Sequence, residues 1–455
     1  MFLLLAIISY EFSFLASLSL FGAIIGAFAI GAQCDYLGRR PALMIMQLVS
    51  VLGLLLLRFA YNVPMLYAGS LLGGYVQGAG NAVMPTYVGE INQPRIRKFT
   101  GSFIVLSFTI GFAITKLIGI LVSWRTTLTI IAVLPCIVFI LLFFCPETPT
   151  WYMLKGKKET AIEVMMRLRG DTAVAMTEIS RIQANLEKQK QINSESEDSS
   201  NIKNLISIIS KGTFLRPCGV LVIIFAVCWQ WTGGGPVTFY TEDILKQFEV
   251  PIPVSWIATG QGVIQFVFSL LGVFISSIIP RRKYYIGSAF FVFLGATILG
   301  ASIHLLKYKF FLDFLEEYPA GRWISIVGFS LYIFGYQTGL ISVCFMLLGE
   351  LLPSNAKGIG AFIVIQLNNI SFFVSVKSAK FNVETLGLDG FFWLCASVAL
   401  FSIIFAYIFV PETFGRSLED MEDHYRRICY PNKYKRDANT IKNIAEITNL
   451  AYVSE

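Results

Sequence analysis

Acidic and basic side chains recur in matched sets at the ends of apolar runs. Glu90 is followed seven residues later by Arg97, and Glu350 seven residues later by Lys357. Asp35-Tyr36-Leu37-Gly38-Arg39-Arg40 follows one apolar run and Arg281-Arg282-Lys283 follows another, while Pro146-Glu147-Thr148 and Pro411-Glu412-Thr413 each close one. Opposite charges placed at such ends have the chemistry of ion pairing and charge-assisted hydrogen bonding. Glu90, Arg97, Glu147, Arg39 and Arg40 belong to the first set, and Glu350, Lys357, Glu412, Arg416, Arg281 and Arg282 to the second. Pairs formed across the two sets would hold one side of the protein shut and break when it opens; the plainer reading is anchoring at the membrane surface.

Uncharged polar groups inside the apolar runs offer a different chemistry. Trp229-Gln230-Trp231-Thr232-Gly233-Gly234-Gly235-Pro236 is followed by Thr238, Tyr240 and Thr241. Amides and hydroxyls donate and accept, so Gln230, Thr232, Tyr240 and Thr241 are suited to replace the water around a neutral polyhydroxy solute. Three glycines before a proline break the helix and free backbone groups that are tolerated only beside a cavity, unless the break is a packing kink. Mid-span carboxylates are missing, and Lys116, Lys377 and Lys380 lie toward span ends, which argues for neutral cargo over an ion.

Enzyme chemistry finds no support: there is no nucleophile–base pair, metal cluster or phosphate loop. The eight cysteines are scattered, His304 and His424 are far apart in topology, and neither a metal site, a cofactor nor a disulfide framework is implied. The sequon Asn369-Ile370-Ser371 falls inside an apolar run and is expected to be silent.

These groups must be positioned by membrane-spanning helices. With 55% hydrophobic and 14% charged residues, and a mean hydropathy of +0.66, the chain is far from the roughly 25% charge of soluble domains. Apolar stretches long enough to cross hydrocarbon as helix run near 12–32, 42–57, 65–88, 101–123 and 126–145, then 217–240, 254–279, 285–306, 323–347, 359–381 and 390–410. Lys and Arg gather on one side when the loop after the first span is placed in the cytosol. The formal charge of +7 is then a topology signature, and nucleic-acid binding is not expected.

The organisation that follows is an N-terminal transmembrane half over 1–145, a cytosolic loop over 146–216, a C-terminal transmembrane half over 217–410 and a cytosolic tail over 411–455. In the loop, Ala161, Ile162, Met165, Met166 and Leu168, then Ile179, Ile182 and Leu186, form a helical stripe expected to lie along the inner membrane surface. Residues 193–200 read Asn-Ser-Glu-Ser-Glu-Asp-Ser-Ser, a solvated spacer or a phosphorylated linker. Residues 1–10 are apolar but half as long as a span requires: the remnant of a lost helix, or an extension of the next one.

The landmarks resemble the sugar porter branch of the major facilitator superfamily, and are most similar to the insect facilitated trehalose transporters. Asp35-x-x-Gly38-Arg39-Arg40 matches the family's first inner-loop motif, and Pro85-x-Tyr87-x-x-Glu90 with Arg97 its fourth-helix motif. Pro146-Glu147-Thr148-Pro149-x-Trp151 and Pro411-Glu412-Thr413-x-Gly415-Arg416-Ser417-Leu418-Glu419 match the signatures that close each half. The resemblance runs from about Ser13 to about Glu422 and implies the family's fold, two helical bundles, with the charged positions forming a cytosolic gate. It makes Ser13 to Ala32 the family's second helix, so that eleven of twelve helices are present; a coding sequence cut short at its start explains this with fewer assumptions than a true eleven-helix carrier.

The resemblance extends to cargo. Gln230 and Gly233 match the family's sugar-binding motif, while Trp229 and Gly235 replace a Gln and an Asn. Asn368 matches a family Asn, Phe345 keeps an aromatic where the family has Trp, and Asn369 stands in place of another Trp. The expected function is facilitated alternating-access uniport of a neutral sugar or polyol, trehalose-like or hexose-like, in the plasma membrane. Two alternatives stand beside it: a non-transporting sugar sensor, and an incomplete or inactive transporter product. The implied partners are a small carbohydrate and the lipid bilayer.

Overall fold

The computed structural model describes residues 2–92, 94–194, 212–241, 244, 253–305, 308, 323–352, 357–415 and 418–429. The described residues are mostly helical and contain no strand. In the N-terminal half, α1 is Phe2–Tyr36, α2 Arg39–Arg58, α3 Val63–Ile91, α4 Pro94–Leu121 and α5 Trp124–Leu142. Residues 2–10 continue into the first helix without a break, so that apolar run is an extension of α1.

Three short helices follow, α6 Pro149–Leu154, α7 Lys158–Arg169 and α8 Thr172–Ser194. Their apolar stripe packs inward on itself. Ala161, Met165, Ala175 and Ile179 are buried against one another, with Tyr152, Met153, Ile162, Met166 and Ile182 packed around them. Three amphipathic helices close to each other bury their stripes in a common core at lower cost than separate ones. The acidic spacer of 195–200 lies outside the described residues, as does the side chain of Leu186.

The C-terminal half opens with α9 Gly212–Val222, which continues through a π-helical stretch Ile223–Trp229 and, after a turn, into α10 Gly234–Phe239. Then come α11 Val254–Ile278, α12 Arg281–Leu305, and α13 Trp323–Gly335 joined by a π-helical stretch Tyr336–Leu340 to α14 Ile341–Leu351. The long α15, Lys357–Phe409, bends at Gly387, where φ is 78°. The chain ends in α16, Leu418–Cys429.

Among the described residues, eight helical segments are long and apolar enough to cross a membrane. The last of them, Ile359–Phe409, has two arms joined at Gly387, and α3 and α4, of 29 and 28 residues, are not among the eight but cover two further stretches expected to span. The two halves meet along two seams. In one, α1 lies against the first arm of α15: Phe28 meets Phe362 edge-on at 5.0 Å, Leu20 packs with Val376, and Lys377 Nζ sits 5.3 Å from the Phe14 ring centre. In the other, Gly262 of α11 approaches Ala113 and Lys116 of α4.

Candidate functional site

The charged landmarks assemble into one construction made twice. In the first half, Glu147 accepts hydrogen bonds from the backbone N–H groups of Arg39 at 3.1 Å and Arg40 at 3.0 Å, capping the start of α2. In the second, Glu412 accepts from the N–H groups of Arg281 at 2.9 Å and Arg282 at 3.3 Å, capping the start of α12. A carboxylate at a helix N-terminus satisfies orphan donors and meets the positive end of the helix dipole. The leading arginine reaches an acid in each half: Arg39 Nη2 lies 3.3 Å from Glu90 Oε1, and Arg281 Nε 3.5 Å from Glu350 Oε1. The following arginine caps a helix end instead. Arg40 donates to the carbonyls of Leu142 and Phe143, and Arg282 to that of Tyr407.

Local sequence explains how the two carboxylates fit. Gly38 has φ 109°, and a Cβ there would stand 2.4 Å from Glu147 Oε2, so only glycine leaves room for the cap. The second half lacks that glycine and the Asp beside it, yet Pro280 at the corresponding place leaves the Glu412 bonds intact. Tyr87 of the fourth-helix motif donates to the Pro146 carbonyl at 2.8 Å and ties α3 to the Pro-Glu-Thr turn.

Three observations bear on the expected gate. Among the described residues, the ion pairs of the landmark residues, Arg39–Glu90 and Arg281–Glu350, each join groups of one half and brace it. Asp35 is exposed and stands outside the network. The side chains of Arg97 and Lys357, and the whole of Arg416, lie outside the described residues. A clamp not anticipated from sequence joins α7 to α3: Arg169 donates to the Ile91 carbonyl at 2.7 Å and pairs with Glu178 at 2.8 Å.

The uncharged set converges between α9–α10 and α15. The helix breaks as the three glycines require, with Gly233 at φ 92°. Gln230 Nε2 donates to Asn368 Oδ1 at 2.7 Å, and both side chains are buried. Trp231 Nε1 donates to Ser371 Oγ at 3.1 Å, and Ser375 Oγ to the Gln230 carbonyl at 3.1 Å. Phe345 closes an aromatic cluster, its ring 5.6 Å from Trp229 and 5.7 Å from Phe225. The Tyr240 hydroxyl is buried and unpaired, whereas Thr232 and Thr241 donate to the backbone carbonyls of Trp229 and Val237.

Several polar residues of this region escaped the sequence reading. Trp229 Nε1 donates to Tyr336 at 2.8 Å, Tyr336 stacks on Tyr332, and Tyr332 donates to the Thr232 carbonyl at 2.8 Å. Gln261, Gln265, Gln337 and Gln366 are buried, and the Gln261 and Gln366 amides have neither atom paired. At the far end of α12, His304 Nδ1 lies 2.9 Å from Asp389 Oδ2. The available signal was a glutamine inside an apolar run, which is costly unless it faces a partner or a passage.

The profile of the family described as "Sugar (and other) transporter" matches residues 8–425. Facilitated trehalose transporter Tret1 of Apis mellifera ligustica is 28% identical over 94% of this chain and 80% of that protein. Tret1 of Drosophila yakuba is 28% identical over 88% of this chain and 45% of its own length, and the chain spans about half the length of most of the curated relatives it matches. The inward-open xylose transporter XylE from E. coli superimposes with a TM-score of 0.70 at 19% identity, over 91% of this chain and 89% of that one. A second structure of XylE, titled as a major facilitator superfamily proton:xylose symporter bound to a bromodeoxyglucose, gives 0.70 at 18% identity, over 91% and 89% of the two chains.

Proposed function

Because this chain belongs to the sugar (and other) transporter family and has the major facilitator fold, we propose that it carries a neutral sugar or polyol across the plasma membrane by facilitated alternating access. The family is one of transporters and not of enzymes. The observation that carries the reading is the buried Gln230–Asn368 amide pair at the glycine break, 2.7 Å apart and joining the α9–α10 segment to α15. Two amides in contact still have an acceptor and donors to spare, and a broken helix beside them frees backbone groups for a cargo. Relatives named as trehalose transporters support a trehalose-like or hexose-like cargo.

The paired carboxylates then brace each half as a rigid body, so that the halves rock about the seams between α1 and α15 and between α4 and α11. Uniport is favoured by the scarcity of acids within the passes. Purified protein in liposomes should show saturable uptake of labelled trehalose, glucose or sorbitol, insensitive to an imposed proton gradient and lost in Gln230→Ala. Unsaturable flux across that panel overturns carriage; uptake that follows the proton gradient overturns uniport alone.

A further inference from the structure

Tyr336 and Phe345 stand nine residues apart, a spacing that sets side chains about 180° apart on a regular α-helix. Both nevertheless meet Trp229, which donates from Nε1 to the Tyr336 hydroxyl at 2.8 Å and packs its ring 5.6 Å from that of Phe345. The π-helical stretch Tyr336–Leu340 between them accounts for this. One residue absorbed by a π turn takes away about 100°, which leaves the two side chains about 80° apart and on the same side of the helix.

The widened turn is held from outside the helix. The Ile341 N–H donates to the Tyr336 carbonyl five residues back, and a turn of that kind opens carbonyls to neighbouring side chains. Thr338 donates from Oγ1 to the Phe334 carbonyl at 2.6 Å, and the Thr338 carbonyl in turn accepts from the Tyr284 hydroxyl at 2.6 Å. The same hydroxyl lies 3.1 Å from the Gly272 carbonyl, so Tyr284, buried in the first turn of α12, ties α11, α12 and the π stretch together. Small residues permit the approach: a Cβ on Gly272 would run into the Thr338 carbonyl, and one on Gly339 into Ser288 of α12. We propose that Tyr284 is a positioning residue for transport, holding the π register that sets Tyr336 and Phe345 around Trp229. The proposal rests on the carrier reading above, in which Gln230, next to Trp229, meets the cargo. A buried carbonyl left without its donor is costly, so removal of the hydroxyl lets the stretch relax toward α-helical register and turns Phe345 away from Trp229.

The test is uptake of labelled trehalose, glucose and sorbitol into liposomes by wild type, Tyr284→Phe, Phe345→Leu and the double variant, with amide hydrogen exchange over residues 336–341. Ser325→Ala is the control, because Ser325 donates to Ser302 at 3.1 Å and so gives a second buried hydrogen bond between α12 and α13, away from the π stretch. Tyr284→Phe should lower kcat/KM for the carried solute about tenfold and speed exchange over 336–341, whereas Ser325→Ala should change neither. In the Phe345→Leu background the ring that Tyr284 places is gone, so Tyr284→Phe should cost no more than about twofold there. If Phe345→Leu leaves no uptake to measure, Tyr336→Phe, which removes the bond from Trp229, takes its place in the cycle. If Tyr284→Phe does not reach the membrane, Gly339→Ala, which must shift the stretch off Ser288, gives the same readout. Undiminished loss in the Phe345→Leu background, equal loss in Ser325→Ala, or unchanged exchange over 336–341 overturns this inference and leaves the carrier function standing. Failure of wild type to carry any of the three solutes overturns both.

Discussion

Thr413 donates its hydroxyl proton to Glu350 Oε2 at 2.5 Å, while the matching hydroxyl of Thr148 and the matching atom Oε2 of Glu90 are both buried and unpaired. The two halves share a scaffold but differ at this bond. A hydrogen bond to a charged acceptor contributes about 1.5–3 kcal/mol, with the low end fitting Glu350, whose side chain is 33% exposed. Thr413→Val should therefore lower stability by about 1.5 kcal/mol, and Thr148→Val should leave it unchanged or slightly raised. Thermal unfolding of the two purified variants checks this, and equal losses would contradict it.

The leading arginines should also differ in consequence. Arg39 is buried and its partner Glu90 nearly so, whereas Arg281 and Glu350 are more open and farther apart. Removing one member of a buried pair strands the other charge, so Arg39→Ala should cost about 3 kcal/mol. Arg281→Ala should cost about 1 kcal/mol, because water screens what is left. Yield from membranes and unfolding temperature should both rank Arg39→Ala lower.

The duplication was legible in sequence because each of its members needs a fixed residue type at a helix end. Glu147 and Glu412 had to be acids to cap helix starts, and the arginine pairs had to be arginines to reach both an acid and helix-end carbonyls. Partner choice was not legible. Glu90 and Arg97 invite pairing by spacing, yet Arg39 reaches Glu90 from 51 residues away, a contact that depends on how α2 and α3 pack. The unpaired glutamines were harder still. Gln261 and Gln366 sit in the apolar runs 254–279 and 359–381, and only the packing of the bundle shows that both are buried.

Close approach at the glycine break gives a third prediction. A Cβ at Gly234 would stand 1.8 Å from the Tyr336 ring, and one at Gly235 2.2 Å from Phe372. Gly234→Ala must displace Tyr336 and break its bond from Trp229, an overpacking change that costs about 1–3 kcal/mol. Adding Tyr336→Leu should remove the clash, so Gly234→Ala should cost less in that background. The difference measures a coupling of at least about 0.5 kcal/mol; simple additivity would show that the glycine serves the break alone.

The tail helix α16 should come loose in alkali. Tyr425 and Met421 of α16 are buried in the same core cluster as Phe214 of α9, and the Tyr425 hydroxyl has no hydrogen-bond partner. Burial raises the Tyr425 phenol above its usual range, and the Cys429 thiol on the same helix adds to the effect. An acid whose docked-state pKa is raised favours docking fully below the undocked value. That contribution is lost as pH climbs from about 10, the ordinary tyrosine value, toward the raised one. Proteolysis of the tail should accelerate over that interval in wild type. Tyr425→Phe removes an unpaired polar atom and the titration together, so it should dock at least as well at neutral pH and show little acceleration in alkali. Lysines also lose charge near pH 10.4, and the same rise in both proteins would assign the loosening to them.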